Sequence, residues 1–350
     1  MRIAVLCDRR IVNSLYRASI PFGALQERGH DVRWDGNKGA SFDVEMLAGC
    51  DLVFVHRHFD RDMQRLAGAL RDRGVALWWD NDDDILAVPK GAPGYESVGG
   101  LRGKQIFAGM VKMMQAADVV TTPSAVLADK YRGHGAAVVT VLENYLPNGA
   151  VVGRSRRRRE GPVIGWIGGL EHQIDVEALG IASALDRVCG RHRGARVVSV
   201  GVKLSMDAPY EHIPGVAFSR LSEVAAGFDV GIAPLADIAL NRSRSNVKLK
   251  EYAAAGTPWL ASAMGPYVGM GEREGGRLVA DDGWAEAVER LLSSRWERGR
   301  LARRAAKWAH SQTIGANVEA WEQVARDAVD RARVRRTAGA RRHVRPAAGS

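Results

Sequence analysis

Short, uninterrupted apolar runs alternate with helix-like stretches along this chain, and that alternation constrains its fold more than any other feature. Residues 2–7 (RIAVLC), 51–56 (DLVFVH), 75–79 (VALWW), 118–122 (DVVTT) and 137–142 (AVVTVL) are brief and continuously apolar. Runs of this kind read as strands buried on both faces. Helical stretches fall between them at about 61–73, 104–116 and 124–133, and an earlier one closes at Gly29 before the strand HDVRW. Such β-α-β repetition implies a parallel sheet with helices on both sides.

The pattern then restarts. A strand at 162–167 (PVIGWI) meets a Gly168-Gly169 turn, and a helix at about 174–190 and a strand at 195–202 (ARVVSVGV) follow. Further strand-like stretches lie near 216–218, at 229–233 (DVGIA) and at 258–262 (PWLAS), and beyond Asp282 the chain reads as helical to about residue 335. The expected fold class is α/β, with two facing Rossmann-like doubly wound domains. The expected divisions are 1–150, an Arg-rich linker at 151–161, a second domain at 162–305, helices at 306–332 crossing back to the first domain, and a basic flexible tail at 333–350. Trp284, Trp296, Trp308 and Trp321 read as core and interdomain packing.

A length of 350 residues accommodates two domains. With 46% apolar and 26% charged residues, the composition is that of a globular protein, and no apolar run approaches the roughly 18 residues of a membrane span. The start MRIAVLCD enters a strand-like run directly, and Cys7, Cys50 and Cys189 share no metal-like spacing; both point to a cytoplasmic protein with reduced thiols. The net charge of +10 is local: residues 154–160 carry five Arg and one Glu, and 326–350 carry eight Arg and two Asp. Both stretches read as a solvated linker and tail, or as a contact with a polyanion or an anionic membrane surface through 154–159 and 326–345 that would leave the protein peripheral to a membrane.

Ligands of open α/β sheets bind beyond the C-terminal strand ends. Between Asn241 and Ser262 a basic turn leads into a helix of about ten residues, with Ser243 or Ser245 as its cap and Gly256 and Pro258 ending it. Arg244, Ser245, Asn246 and Lys248 occupy its first turn, where amides and the helix dipole favour an anion. Glu251 lies roughly 9 Å further along the axis, about the reach from a pyrophosphate to a ribose. The Gly168-Gly169 pair admits backbone amides close to a ligand, and His172 follows within reach of a phosphate or a sugar.

In the first half, Asp80-Asn81-Asp82-Asp83-Asp84 follows the strand VALWW. Asp80 is placed to orient an acceptor hydroxyl or act as a base, while Asp82 to Asp84 line the cleft or cap the next turn. A metal role for this DxD pattern is not favoured, and the expected metal set is empty. Arg17 points toward the cleft or forms a surface ion pair. His56 and His58 have a zinc-like HxH look without further ligands, and line the cleft at most.

The order G-x(2)-GG-x(2)-H, a strand ending in APL, then N-x(2)-RS-N-x-K-x(2)-EY-x(3)-G-x-P resembles the donor half of the retaining GT-B glycosyltransferases (group 1, family 4-like). Tyr16-Arg17 before Pro21, Gly29-His30-Asp31-Val32, Ala117-Asp118-Val119-Val120 and the Asn144 to Asn148 segment extend the likeness over roughly residues 1–325. The resemblance implies transfer of a sugar from a nucleotide diphosphate sugar, such as a UDP-sugar, to an acceptor hydroxyl, with retention and without metal or other cofactor. The second domain would bind the donor and the first the acceptor. Glu251 would hold the ribose, and Arg244, Lys248 and the Ser245-Asn246 region the diphosphate, with Gly168 and Gly169 beside them. Asp80, His172, Arg244 and Lys248 would then carry catalysis, and Arg17, His56, Asp82 and Asn144 would face the acceptor. In many relatives a second carboxylate stands eight residues before the ribose glutamate; here that position is Ser243. The implied acceptors are a glycan, a lipid-linked sugar, a protein, or the hydroxylated bases of DNA. A non-catalytic nucleotide-sugar-binding protein and a sugar-nucleotide 2-epimerase are the competing readings.

Overall fold

The computed structural model describes residues 1–34, 44–152 and 161–343, with side chains through Ala338. The arginine run at 154–159 and the last seven residues lie outside the described residues. The chain divides into two compact units: Met1–Leu86, Gly100–Glu143 and Asn317–Ser350 form the first, and Ala87–Gly99 with Asn144–Ala316 the second.

The first unit is built on six strands: β1 (Arg2–Leu6), β2 (Asp31–Trp34), β3 (Leu52–His56), β4 (Ala76–Asp80), β5 (Val119–Thr122) and β6 (Val139–Val141). All are parallel, in the order β2-β1-β3-β4-β5-β6. The order reverses between β1 and β3. Successive side chains of a strand point to opposite faces, so Val53, Val55, Leu77 and Trp79 share a core with Met63, Leu66, Ala67 and Leu70, the apolar stripe of helix Arg61–Asp72. Asp60 caps that helix by accepting from the amides of Asp62 and Met63. On the opposite face Phe22, Phe54 and Trp78 meet Trp321, whose ring centroid lies 5.6 Å from that of Trp78.

The second unit repeats the plan with β7 (Val163–Gly168), β8 (Arg196–Gly201), β9 (Tyr210–Ile213), β10 (Val230–Ala233), β11 (Trp259–Ser262) and β12 (Gly276–Val279). Its parallel order is β12-β11-β10-β7-β8-β9, with the reversal between β7 and β10. The α/β class with two Rossmann-like sheets therefore stands.

Several local expectations are corrected. The stretch near 216–218 is not a strand; β9 is Tyr210–Ile213, hidden in the sequence by its mixed polar composition, and a 3-10 turn occupies Phe218–Arg220. The edge strand β12, carrying a glycine and an arginine, also escaped the apolar criterion. The helix expected at 174–190 is broken at Gly180, whose φ of 58° interrupts it between Gln173–Ala178 and Ile181–Arg191. Trp296 is 73% exposed and lies under the Arg300 guanidinium, so it is not core. The last helix runs Ile314–His343, into the stretch expected to be a flexible tail. No helix among the described residues is long and apolar enough to cross a membrane.

Candidate functional site

Where the strand order reverses in the second unit, β7 and β10 deliver two loops side by side, the place where a parallel sheet offers a crevice. From β7 come Gly168, Gly169 and the 3-10 turn Leu170–His172. A Cβ on Gly168 would stand 2.9 Å from the His172 ring and 3.1 Å from Trp166 Nε1, so only glycine lets the turn close against them. Gly201 is more constrained still: its φ is +83°, and a Cβ would lie 2.2 Å from the Gly168 carbonyl oxygen.

Asp175 ties the two loops together. Its Oδ2 faces His172 Nδ1 at 2.7 Å, while Oδ1 accepts from the Ala236 amide at 2.8 Å and from Asn241 Nδ2 at 2.7 Å. Asp175 is fully buried and His172 nearly so. Burial pushes the His172 pKa below its ordinary value, against the raising effect of the Asp175 hydrogen bond. With Nδ1 turned to Asp175, the other ring nitrogen is the one left to face outward, 3.9 Å from Glu171. The sequence reading missed Asp175, although its place three residues after His172 puts the two on one helical face.

The helix after the basic turn spans Val247–Ala254, shorter than expected. Neither Ser243 nor Ser245 caps it: Asn246 is the N-cap residue without a side-chain cap bond, and the buried Ser243 Oγ donates to the Leu240 carbonyl at 2.8 Å. Its C-terminal end follows expectation, with Gly256 at φ 63°. Tyr252 fixes the helix to both switch strands, donating to Ile232 O of β10 at 2.8 Å and accepting from Ile167 N of β7 at 2.9 Å. Gly231 in β10 has no Cβ to collide with that ring.

On this pinned helix Lys248 Nζ donates to Glu251 Oε2 at 2.7 Å. Arg244 Nε donates to Asn241 Oδ1 at 2.9 Å, placing its guanidinium 3.8 Å from Glu171. The second unit thus gathers Gly168, Gly169, His172, Arg244, Ser245, Asn246, Lys248 and Glu251 on the strand-end side of one sheet. Asn144, expected with the acceptor residues of the first domain, belongs to the second unit instead. Its Nδ2 donates to Ser245 Oγ at 3.1 Å, and its carbonyl accepts from the fully buried Lys250 at 2.9 Å.

In the first unit the C-terminal strand ends hold a dense polar cluster. Asp80 is completely buried between two strands and a five-residue π-helical turn, Leu15–Ser19, that carries Arg17. It accepts from Arg17 at 2.5 and 3.1 Å and from Thr121 Oγ1 at 2.5 Å, and faces His56 Nδ1 at 2.9 Å. Burial works to raise its pKa, but the Arg17 charge and the bonds from His56 and Arg17 outweigh it and hold the carboxyl well below the usual carboxylate range. This corrects the expectation that Asp80 orients an acceptor hydroxyl or acts as a base, since both of its oxygens are occupied by neighbours. It also corrects the surface ion pair suggested for Arg17, which is 0% exposed. Asp82 accepts from Asn13 Nδ2 at 2.6 Å and from Arg57 Nε at 2.7 Å, Asp83 pairs with Arg57, and Asp84 pairs with Lys130 and caps the turn at Leu86. Arg57 alone among described non-glycine residues has positive φ, at 65°. Sequence reasoning missed Asn13 and Arg57.

Of the eight arginines in the second basic stretch, Arg326 pairs with Glu322, Arg333 with Asp330 and Arg335 with Asp118. Part of that charge is spent on packing within the first unit.

No protein-family model and no curated protein sequence matches the chain. Solved structures do. Sucrose-phosphate synthase from Thermosynechococcus elongatus superposes with a TM-score of 0.65 at 14% identity, covering 93% of this chain and 98% of that one. HepE from Anabaena, in complex with UDP and glucose, gives 0.62 at 14% identity over 93% and 99%. An alpha-glucosyltransferase in complex with UDP and a DNA containing an HMU base gives 0.61 at 12% identity over 94% and 99%. At these identities the likeness shows the fold, and the fold is that of the GT-B glycosyltransferases.

Proposed function

We propose that this protein is a glycosyltransferase that moves a sugar from a nucleoside diphosphate sugar to an acceptor hydroxyl, with retention and without a metal ion. The observation that carries the reading is the helix Val247–Ala254, pinned by Tyr252 to both switch strands so that Lys248 and Glu251 are presented at their ends. A diphosphate entering there can take Lys248 and Arg244 as partners, and Glu251, released from Lys248, can accept from ribose hydroxyls. Fixed cations at a leaving diphosphate stabilise the charge that develops on it, the work that metal ions do elsewhere. His172, kept largely uncharged by burial and oriented by Asp175, offers its second nitrogen to the transferred sugar or a phosphate. UDP is the nucleotide favoured, since structural neighbours were solved with it.

Ser243, where many relatives carry a carboxylate, bonds to its own backbone turn. The sugar ring is therefore held by other groups, and donor binding rests on the diphosphate and ribose contacts. Calorimetric titration with UDP and a panel of UDP-sugars tests the reading: binding is expected for the native chain and a loss for Glu251→Ala. Equal binding by both sinks the donor assignment. Product of inverted anomeric configuration by NMR overturns retention, activity abolished by EDTA and restored by a divalent cation overturns metal independence, and a product formed without acceptor favours an epimerase.

A further inference from the structure

The acidic cluster of the first unit has a charge balance that bears on what it can bind. Within the acidic cluster each of three cations is already held by a carboxylate: Arg17 by Asp80 at 2.5 Å, Lys130 by Asp84 at 2.5 Å, and Arg57 by Asp82 at 2.7 Å and by Asp83. Four carboxylates thus face three cations. A phosphate or carboxylate entering here would have to strip a cation from a partner it already grips, in a region where burial leaves Asp80 and Asp82 under 10% exposed. Like charges at close range in a poorly solvated site oppose that exchange.

What the cluster leaves unsatisfied is neutral. Ser14 Oγ, His56 Nε2 and Thr122 Oγ1 are buried atoms with no hydrogen-bond partner among the described residues. All three lie at the C-terminal end of the sheet: Ser14 follows β1, His56 ends β3, and Thr122 ends β5. His56 is oriented from its other side, with Nδ1 2.9 Å from Asp80 Oδ1, and its free Nε2 stands 3.9 Å from Asp82 Oδ1. That gap is too long for a hydrogen bond between the two. A neutral His56 that donates from Nδ1 to Asp80 presents Nε2 as an acceptor, so one ligand hydroxyl about 2.8 Å away can donate to it. A buried polar atom without a partner is unfavourable, so a ligand that supplies one gains by entering. The left-handed Arg57, directly after His56, is a strained position of the kind found beside ligand sites.

We propose that the first unit takes a neutral polyhydroxylated acceptor, a free or glycosidically linked sugar or polyol, with one of its hydroxyls donating to His56 Nε2, and that it discriminates against phosphorylated acceptors. The inference rests on the glycosyltransferase reading only for the word acceptor; the binding preference stands by itself. Sucrose-phosphate and trehalose-6-phosphate synthases are similar in fold, so the preference separates this chain from what its fold alone would suggest.

The test is direct binding, by saturation-transfer NMR, of glucose, glycerol and glucose 6-phosphate to the full chain, with and without UDP. Glucose or glycerol is expected to bind at least about tenfold more tightly than glucose 6-phosphate. Asp83→Asn, which removes one negative charge from the least buried of the four carboxylates, is expected to narrow that gap several-fold. His56→Ala is expected to weaken the neutral ligand about tenfold while leaving UDP affinity unchanged, with His56→Gln recovering part of the loss. If an acceptor turns over, the His56→Ala defect falls on its KM more than on kcat. Tighter binding of glucose 6-phosphate, binding only of a DNA duplex bearing hydroxymethylated bases, or His56 variants with native affinity would each overturn the proposal. Failure of UDP to bind while glucose binds would instead refute the donor reading and leave this one standing.

Discussion

Asp175 Oδ2 lies 2.7 Å from His172 Nδ1, and the opposite oxygen of the same carboxylate holds the loop leaving β10. One buried side chain therefore sets both the orientation of the histidine and the spacing of the two loops that frame the crevice of the second unit. Asp175→Ala removes three bonds at once and leaves buried donors unpaired, so a destabilisation of about 3 kcal/mol is expected in urea denaturation. Asp175→Asn keeps the shape and is expected to cost about half of that. Equal stability of the native chain and Asp175→Ala would refute the bridging role.

His172 gives the fold a pH dependence of known sign. Burial lowers its pKa in the folded state, against an ordinary value of about 6.5 in the unfolded chain. The unfolded chain then binds the additional proton first as the solution is acidified. This contribution to stability is complete above about pH 6.5 and is lost as the pH falls through the folded-state value. Between pH 7.5 and 5.5 the native chain should lose more stability than His172→Asn does, as measured by chemical denaturation.

Arg17 and Asp80 form an ion pair with both side chains 0% exposed. Removing either partner leaves a buried charge alone, so Arg17→Ala or Asp80→Ala is expected to destabilise by about 3–5 kcal/mol, and the double variant by less than the sum. The carboxyl is held below the usual range, so its contribution is intact above about pH 4 and is lost only in stronger acid. Additive losses in the double-variant cycle would show that the two residues do not act as a pair.

Gly201→Ala sets a methyl group 2.2 Å from the Gly168 carbonyl oxygen at a backbone angle of +83°. The displaced atom is main chain, so the turn itself must move. A loss of roughly 2 kcal/mol or more is expected, together with weaker UDP binding in calorimetry, although residue 201 carries no side chain to touch a ligand. Gly215→Ala, in open space, is the control and should change neither.

Lys248 and Glu251 hold each other at 2.7 Å. Glu251→Gln should weaken UDP by about tenfold, because an amide replaces a charged acceptor for ribose hydroxyls, and Lys248→Ala should weaken UDP more than uridine. Equal effects of Lys248→Ala on UDP and uridine would remove the lysine from the diphosphate.

Much of what the second unit brings together at its strand ends was legible because it is local. Gly168, Gly169 and His172 follow β7 within a few residues, and Arg244, Lys248 and Glu251 lie in one short segment beyond β10 and the helix Ala239–Arg242. Asp175 and Tyr252 were not legible, since an aspartate on a helix and a tyrosine beside a glutamate carry no sign of partners some sixty and eighty residues distant in sequence. Ser243 and Ser245 looked like caps by position, yet their hydroxyls went to Leu240 and Asn144. The weakest readings concerned Asp80 and Arg17, polar residues at strand ends that a sequence presents as exposed and reactive.

The sequence by itself determined the alternation of strands and helices, hence two parallel sheets, because apolar continuity and helical periodicity are properties of neighbouring residues. It missed β9 and β12, whose polar residues suit sheet edges less buried than the centre. The tertiary structure alone decided which charges are spent and which polar atoms are left wanting. The acidic run at 80–84 became a set of closed ion pairs around one unsatisfied histidine, since the cations that neutralise it arrive from the turn after β1, the end of β3 and the helix after β5. Charge compensation depends on distances of a few ångströms between residues far apart in the chain, and only folding sets those distances.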